Sequence, residues 1–164
     1  MPRPSFTRIR PARPSDAGEL TAFERKAFTG YYAGHRFSRS QFEYYLSRTL
    51  TISFVAISRA GLAGYVLGIR QRGGRLGVCR LLSIAVAPRF KRQGLGQRLL
   101  RAFMRAAAER SCRSVSLEVA APNAAARQLF SGNGFEPIRM LPGYYSSAVD
   151  GFRMRRTLAS HKEL

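Results

Sequence analysis

The fold is decided by residues 82–100, which run Leu82-Ser-Ile-Ala-Val-Ala-Pro-Arg-Phe-Lys-Arg-Gln-Gly-Leu-Gly-Gln-Arg-Leu-Leu100. The apolar start predicts a β-strand that ends at Pro88, and a basic loop with two glycines then leads into a helix. A helix N-terminus has unpaired N–H groups and the positive end of the helix dipole, and glycines let a ligand approach the backbone. Together with Lys91, Arg92 and Arg98, this segment is predicted to bind a phosphate or pyrophosphate. It lacks the spacing of a Walker loop and the third glycine of a dinucleotide fingerprint.

Outward from this segment, strand-like and helix-like patterns alternate with short connections, which favours one α/β domain. We expect strands at 7–12, 52–58, 62–71, 76–86, 115–119, 135–141 and 152–158, and helices at 15–28, 38–49, 95–109 and 123–131. Asp16-x-x-Glu19 and Ser40-x-x-Glu43 have the spacing of capping boxes, although Ser38 is an alternative cap for the second helix. Gly73-Gly74 predicts a turn, and residues 29–37 are predicted to form a loop.

A second segment, Asn123-Ala-Ala-Ala-Arg-Gln-Leu-Phe-Ser-Gly-Asn-Gly-Phe135, follows a strand that contains Leu117-Glu118-Val119. It is similar to the N-x-x-A-x-x-L-[YF]-x-x-x-G-F motif of the GNAT N-acetyltransferase superfamily. The stretch Lys91-Arg-Gln-Gly-Leu-Gly96 resembles the acetyl-CoA motif of that family, [QR]-x-x-G-x-[GA], with Lys91 where Gln or Arg is usual. The matches cover about residues 80–136. Among the subfamilies, the chain looks most like the RimI type, which acetylates the N-terminal alanine of a ribosomal protein.

The resemblance implies a single α/β GNAT domain over residues 1–164, with 1–5 and 159–164 as loose ends. Its central sheet would be mixed, mostly antiparallel, splayed in the middle and flanked by helices. In this family the two central strands separate, partly because of a β-bulge, and acetyl-CoA enters the gap. The pantetheine arm then acts like a short extra strand. Acetyl-CoA is therefore the expected acetyl donor, and no metal is expected.

The resemblance also implies positions for the cofactor. Pantetheine would run along the strand edge at Ile84, Ala85 and Val86, and the pyrophosphate would sit on the amides of residues 92–97. Asn123 would hydrogen-bond the pantetheine arm, and the helix around Arg127 and Phe130 would flank the thiol end. The full set of expected cofactor contacts is Ile84, Ala85, Val86, Lys91, Arg92, Gln93, Gly94, Leu95, Gly96, Gln97, Asn123, Arg127 and Phe130.

The chemistry of acetyl transfer requires a neutral amine, so an acceptor ammonium must first lose a proton. An α-amine, with a pKa of about 8, needs less help than a lysine, with a pKa of about 10.4. Glu118 aligns with the RimI-type general base and is expected to accept this proton directly or through water. The Tyr that protonates the leaving thiolate in RimI-like enzymes is replaced here by Phe130. Tyr144 and Tyr145 are alternative proton donors, with Tyr145 preferred.

Charge is the unusual feature of the composition, because 28 Lys and Arg face only 9 Asp and Glu among 164 residues, a net charge of +19. Such a surplus must be solvated or meet an anion, so a ribosome or RNA is an expected contact, and small polycationic substrates are disfavoured. The alternative interpretation is a generally Arg-rich proteome. Cys79 and Cys112 are expected to be reduced, buried thiols, and neither a disulfide nor a zinc site is expected. The chain has no signal-peptide pattern and no apolar run of about 18 residues, which predicts a cytoplasmic protein without a membrane span.

These observations favour an N-acetyltransferase that moves acetyl from acetyl-CoA to an amine of a protein or peptide, such as an N-terminus, by direct attack in a ternary complex. The first alternative is an aminoacyl-tRNA acetyltransferase. The second is a nucleic-acid-binding module, and the third is a CoA-binding sensor without catalysis. Acceptor specificity in this family depends on segments that correspond to 29–38 and 141–151. The sequence leaves the oligomeric state open, with a homodimer as one alternative because dimers are common among these enzymes.

Overall fold

The computed structural model describes residues 7–72 and 77–159. The predicted turn at Gly73-Gly74 and most of the expected loose ends lie outside these residues. The strands are β1 (Thr7–Pro11), β2 (Thr51–Ser58), β3 (Gly61–Arg70), β4 (Val78–Val86), β5 (Ser114–Ala120), β6 (Glu136–Ser146) and β7 (Val149–Thr157). The helices are α1 (Ala17–Ala27), α2 (Arg39–Leu46), α3 (Leu95–Glu109) and α4 (Ala124–Gly132). Short 3-10 helices cover Pro14–Asp16, Gly30–His35 and Pro88–Phe90, so the segment predicted as a loop is partly helical.

In the described part of the chain, seven strands form one sheet in the order β1-β2-β3-β4-β5-β7-β6. Only β4 and β5 pair in parallel, and the other neighbours are antiparallel. The parallel pair needs a crossover, which α3 supplies on one face of the sheet. This architecture confirms the mixed, mostly antiparallel sheet flanked by helices. No helix within 7–72 and 77–159 combines the length and apolar character that crossing a membrane requires.

The two central strands β4 and β5 stay together over a short distance only. Their ladder consists of Val78 with Ser114, Cys79 with Val115, and Arg80 with Ser116. Beyond Arg80, β4 continues to Val86 and remains paired with β3 alone. The ladder between β3 and β4 shifts register where Leu67 faces Ser83 and Gly68 faces Leu81, which leaves Leu82 as an extra residue in β4. A bulge of this kind bends its strand and ends pairing, so it accounts for the predicted splay.

Two apolar layers cover the sheet. On one face, α3 buries a stripe that repeats with helical spacing, consisting of Leu95, Leu99, Leu100, Phe103, Met104 and Ala107. On the other face, α1 and α2 bury Leu20 and Phe42 against Val55, Tyr65 and Leu67 of the sheet. Val55 and Ala56 are neighbours in β2 but belong to opposite layers, because successive side chains of a strand point to opposite faces of the sheet.

The expectation of two reduced thiols is wrong. Cys79 and Cys112 form a disulfide, with their Cα atoms 6.0 Å apart. The expectation that both are buried is confirmed. Cys79 lies in the paired part of β4 opposite Val115, and Cys112 lies in the connection between α3 and β5. The parallel pairing of β4 and β5 therefore brings the two residues together although 33 positions separate them in the chain.

Both predicted capping boxes are also wrong. The second helix is capped by Ser38, whose Oγ accepts from Gln41 N at 3.2 Å while Gln41 Oε1 accepts from Ser38 N at 2.8 Å. Glu43 instead pairs with Arg39 at 3.0 Å. Asp16 makes no capping bond to α1, because its carboxylate accepts from Arg13 N at 2.7 Å and from Arg10. Asp16 occupies the N-cap position of α1, but its carboxylate is engaged by the residues that precede it.

A close contact beneath α3 gives a stability prediction. A Cβ added to Gly68 would lie 2.4 Å from the Phe103 ring and 2.6 Å from the Arg80 carbonyl oxygen. We expect Gly68→Ala to lower the free energy of unfolding by about 1–3 kcal/mol, because overpacking forces the ring and backbone to shift. Chemical denaturation measures the change. Gly18→Ala is the control, since nothing lies within 4 Å of its added Cβ. Equal stability of the two variants would contradict the packing described here.

Candidate active site

A cavity of about 110 Å³ opens where β4 and β5 separate. Residues 81–84 of β4 form one wall, and Glu118 and Val119 of β5 form another. The remaining walls come from α1, the Gly30–His35 helix, α4 and Tyr145 of β6. The gap in the sheet therefore creates an internal site that side chains from both layers reach.

Glu118 lies at this cavity with its side chain 10% exposed. Its Oε1 accepts from Arg80 Nη2 at 2.8 Å and from Arg153 Nη2 at 3.2 Å. Arg80 precedes the bulge in β4, and Arg153 is the cross-strand partner of Glu118 in β7. The two guanidinium groups fix one carboxylate oxygen and offset the charge of the group. The structure thus places the predicted base in the cavity, in a firmly held position.

Glu24 is a second carboxylate at the same cavity, and it is only 1% exposed. Tyr65 Oη donates to its Oε1, and Tyr65 in turn hydrogen-bonds Ser83 Oγ at 2.7 Å. Its Oε2 is buried and has no hydrogen-bond partner. Burial raises the pKa of Glu24 from 4.5 to about 7, a shift that hydrogen bonds and the attraction of Arg36 only partly oppose. This carboxyl group titrates near neutral pH.

An aromatic wall joins the two segments expected to set acceptor specificity. Tyr145 packs edge-on against Tyr32 at 5.1 Å and against His35 at 5.1 Å between ring centroids. His35 Nε2 also lies 3.3 Å from the Tyr145 carbonyl oxygen. Tyr32 Oη accepts from Asn123 Nδ2 at 2.8 Å and from Ala120 N at 3.3 Å. The 29–38 and 141–151 segments thus meet at the mouth of the cavity.

The two candidate proton donors, Tyr144 and Tyr145, and the Phe130 that replaces the usual Tyr lie at different positions around the cavity. Phe130, which stands at the usual Tyr position, is 3% exposed and lines the cavity with its ring. Tyr145 lines the cavity, and burial raises its pKa, so it keeps its proton at neutral pH. Tyr144 is 39% exposed and stacks on the His35 ring outside the cavity lining. Of the two hydroxyls proposed from the sequence, Tyr145 is the one at the site.

The predicted phosphate-binding segment forms an open helix N-terminus. Gly94 occupies the N-cap of α3 in the left-handed conformation, with φ of 77°, and no side chain caps the helix. Arg92 also has a positive φ, of 61°. The backbone therefore turns sharply before the first helical N–H groups, and these groups stay uncapped by any described side chain. Such a terminus fits a pyrophosphate.

Several predicted cofactor residues make other contacts. Gln97 and Asn133 exchange two side-chain hydrogen bonds, and Arg98 donates to Thr7 Oγ1 at 2.7 Å, which ties α3 to β1 and leaves the charge of Arg98 in place. Gln93 Nε2 donates to the Arg89 carbonyl at 3.0 Å. Arg127 donates to the Ala121 carbonyl at 3.0 Å and lies over the Phe152 ring. Lys91 and Arg92 are exposed, while the Leu95 side chain is buried in the core and leaves only its backbone N–H facing the loop.

The remaining residues predicted to contact the cofactor are Asn123, Gly96 and the residues at the edge of β4. Asn123 lines the cavity and caps α4 by accepting from Ala126 N at 3.2 Å, while its amide donates to Tyr32. Ile84, Ala85 and Val86 are half-buried and lie on the part of β4 that has no partner on its β5 side within the described residues. Gly96 gives α3 a smooth surface beside Val86 and Leu129. An unpaired strand edge that leads to an open helix N-terminus fits an extended, phosphate-bearing cofactor.

Sequence reasoning missed Glu24, Tyr32, Tyr65, Ser83 and the two arginines that hold Glu118. A signal for Glu24 exists, because Ala17, Leu20 and Glu24 lie on one face of α1 and all are buried. Burying a carboxylate on the apolar face of a helix costs folding free energy, so such a residue stands out as a candidate for a functional role. The other contacts depend on strand register and loop packing, which local sequence does not specify. No group of three or more His, Cys, Asp or Glu placed to hold a metal occurs in the described residues.

Glu24 gives a prediction for the pH dependence of stability. Because folding raises its pKa from 4.5 to about 7, the contribution of Glu24 to the free energy of unfolding should be highest below pH 4.5 and fall as the pH rises towards 7. Gln does not ionise, so Glu24→Gln should gain about 3 kcal/mol relative to the wild type between acidic and mildly alkaline pH. Denaturant titrations across this range test the prediction, with exposed Glu19→Gln as the control. A difference that does not vary with pH would contradict the burial of an ionisable Glu24.

Comparisons with known proteins agree with this geometry. The family model described as acetyltransferase (GNAT) family matches residues 19–135, more than two thirds of the chain. An N-alpha-acetyltransferase of Sulfurisphaera tokodaii is 29% identical, over 92% of this chain and 93% of the relative. The [ribosomal protein bS18]-alanine N-acetyltransferase of Escherichia coli is 39% identical over a shorter stretch, 43% of this chain and 47% of the relative.

Among solved structures, the ribosomal-protein-S18-alanine N-acetyltransferase from Escherichia coli superposes with a TM-score of 0.80 at 23% identity, over 97% of this chain and 99% of that chain. That likeness confirms the fold. The resemblance to the GNAT superfamily and to its RimI type is confirmed, and a binding module without catalysis finds no support in these matches. The chain belongs to the GNAT acetyltransferase family and is an N-acetyltransferase that uses acetyl-CoA as its acetyl donor.

Proposed function

We propose that this enzyme acetylates the N-terminal α-amine of a protein or peptide in the cavity between β4 and β5. The observation that carries the proposal is the charge of the cavity wall. Glu24 and Glu118 line it, and no described Arg or Lys does. Arg80 and Arg153 offset the charge of Glu118, and no salt bridge to Glu24 is found among the described residues, so Glu24 is the carboxylate left to attract a cation. A protonated amine is such a cation, whereas a phosphate would be repelled there.

The relatives support an α-amine as the acceptor. The Sulfurisphaera protein is named an N-alpha-acetyltransferase and matches nearly the whole chain. The Escherichia coli relative is named for the alanine of ribosomal protein bS18. An N-terminal amine also has a pKa of about 8, so less proton removal is needed than for lysine. We include a ribosomal-protein N-terminus among the proposed acceptors, since a strongly basic protein is attracted to a ribosome.

The acetyl donor is proposed to lie along the free edge of β4 at residues 84–86, with its pyrophosphate on the backbone amides of 92–97. Acetyl-CoA supplies an acetyl group already activated as a thioester. The exposed Lys91 and Arg92 add positive charge beside this helix N-terminus. Asn123 can turn its amide from Tyr32 to the pantetheine arm. Phe130 offers an apolar wall at the thiol end, and Arg127 stays at the outer face of α4.

The chain's own residues are proposed to move two protons. Glu118 accepts the proton of the acceptor amine, directly or through water, because its carboxylate lies at the cavity and two arginines hold it in place. The nitrogen lone pair then attacks the thioester carbonyl carbon in the ternary complex, so the C–N bond forms, the C–S bond breaks, and the nitrogen releases its second proton to solvent. Tyr145, whose ring lines the cavity, is the proposed donor to the leaving sulfur, since Phe130 has no proton to give.

The test of the proposed function is thiol release from acetyl-CoA with a panel of acceptors. We expect turnover on peptides with free Ala, Ser or Met N-termini, including a ribosomal-protein N-terminus, and little on N-blocked lysine peptides. Glu118→Gln should lower kcat by about 100-fold or more, because Gln cannot accept the proton. Glu136→Gln, an exposed change at the start of β6, is the matched control. Turnover on aminoacyl-tRNA alone would refute the proposed acceptor.

A separate variant tests whether Tyr145 is the proton donor to the leaving sulfur. Tyr145→Phe keeps the ring in the aromatic wall and removes only the hydroxyl. We expect kcat to fall by about 100-fold with the KM for peptide unchanged, because proton delivery to the leaving group is lost while the packing stays. Tyr44→Phe on α2, whose ring is 54% exposed, is the control. Wild-type kcat in Tyr145→Phe would show that the thiolate leaves without help from this residue.

A further inference from the structure

Glu24 has no part in the proton transfers proposed above, yet it faces the same cavity. The side chain is 1% exposed, and its Oε2 has no hydrogen-bond partner. A buried carboxylate oxygen without a hydrogen-bond partner destabilises the folded protein. Because the Glu24 side chain lines the cavity, a ligand that reaches this buried oxygen can supply the hydrogen bond that it lacks. The missing ligand group must be an N–H or O–H donor.

The charge of Glu24 indicates which kind of hydrogen-bond donor the ligand carries. Glu118 is offset by Arg80 and Arg153, whereas no salt bridge to Glu24 is found among the described residues. Arg36 acts on Glu24 only at a distance, and its Nε donates to the Phe28 carbonyl. Glu24 is therefore the carboxylate of the cavity that has no salt bridge among the described residues. A cationic donor fits it better than a neutral hydroxyl, since hydrogen bonds between charged partners are roughly twice as strong.

The hydrogen bonds behind Glu24 set its orientation. Tyr65 Oη donates to Oε1 from β3, and Ser83 Oγ hydrogen-bonds the same hydroxyl from β4. The Phe37 backbone and Ser83 also stabilise the charged form of Glu24, and Oε2 is the carboxylate oxygen for which no hydrogen-bond partner is found. Tyr65 is fully buried, which makes it a rigid positioning residue. The carboxylate is thus held in advance of substrate arrival.

We propose that Glu24 binds the protonated N-terminal amine of the acceptor through Oε2, opposite Glu118. This assignment rests on the proposed function, because it specifies how the α-amine is recognised. Glu24 attracts and holds the ammonium, and Glu118 takes one of its protons. After transfer, the product amide has a single N–H and no charge, so it binds Glu24 more weakly than the substrate did. The same contact therefore favours substrate entry and product release.

Steady-state kinetics on the full-length protein tests this role. Glu24→Gln keeps the size of the side chain and an acceptor for Tyr65, but it loses the charge. We expect the KM for a peptide with a free N-terminal Ala to rise by about tenfold or more, as loss of a charged hydrogen bond predicts. The kcat should stay within about threefold, and the KM for acetyl-CoA should not change. Glu19→Gln, an exposed change on the same helix, is the control.

Each result of these kinetics either supports or overturns the proposed role of Glu24. An unchanged KM for peptide in Glu24→Gln would show that the residue only supports the fold. A fall in kcat without a change in KM would also overturn the proposal, because it would make Glu24 a proton acceptor. If the wild type acetylates no N-terminal peptide, the proposed function fails first. If it does, and Glu24→Gln behaves like the wild type, the present inference fails alone.

A binding measurement gives a readout that does not need turnover. With CoA present, calorimetry compares one peptide with a free N-terminus and the same peptide N-acetylated. The wild type should bind the free peptide about tenfold more tightly, and Glu24→Gln should bind the two peptides alike. Circular dichroism of the variant confirms that it is folded. Equal discrimination in the wild type and the variant would refute the assignment.

Discussion

The structure depends on the early end of pairing between β4 and β5. Their ladder holds three residue pairs, and the extra residue Leu82 then bends β4 away from its neighbour. The separated halves leave one free strand edge, which leads directly to the uncapped N-terminus of α3. They also leave a cavity that α1, the Gly30–His35 helix and β6 close from the other layer. The sites proposed for the cofactor and for the acceptor thus both depend on one irregularity in the sheet.

Two carboxylates line the cavity of a chain whose net charge is strongly positive. With 28 basic and 9 acidic residues, an acidic cavity requires that carboxylates be placed there individually. Glu118 is offset by two arginines from the neighbouring strands, while Glu24 is isolated by burial, and this burial raises its pKa. In the proposed function, the basic loop before α3 and the cavity with its two carboxylates receive groups of opposite charge. The phosphates of the donor would lie on the loop, and the amine of the acceptor would lie in the cavity.

Much of this arrangement could be predicted from residues 82–100 and 123–135, because helix stripes, glycine turns and family motifs are local features. The element order, the splay and the place of Glu118 follow from them. The disulfide between Cys79 and Cys112 could not be predicted, since it depends on the parallel register of β4 and β5. Glu24 was missed because a carboxylate within an amphipathic helix looks like a surface residue until the burial of its neighbours is known. The contacts of Arg98 and Asn123 depend in the same way on distant partners.

The central claim is that the acetyl group and an acceptor α-amine meet between the separated halves of β4 and β5. The most direct measurement is a crystal structure with a bisubstrate analogue in which CoA is joined through an acetyl bridge to the N-terminus of a peptide. The account predicts that the pantetheine arm lies along residues 84–86 and the pyrophosphate on the amides of 92–97. The peptide nitrogen should lie at the cavity between Glu24 and Glu118. An analogue bound elsewhere on the chain, or a peptide nitrogen outside this cavity, would contradict it.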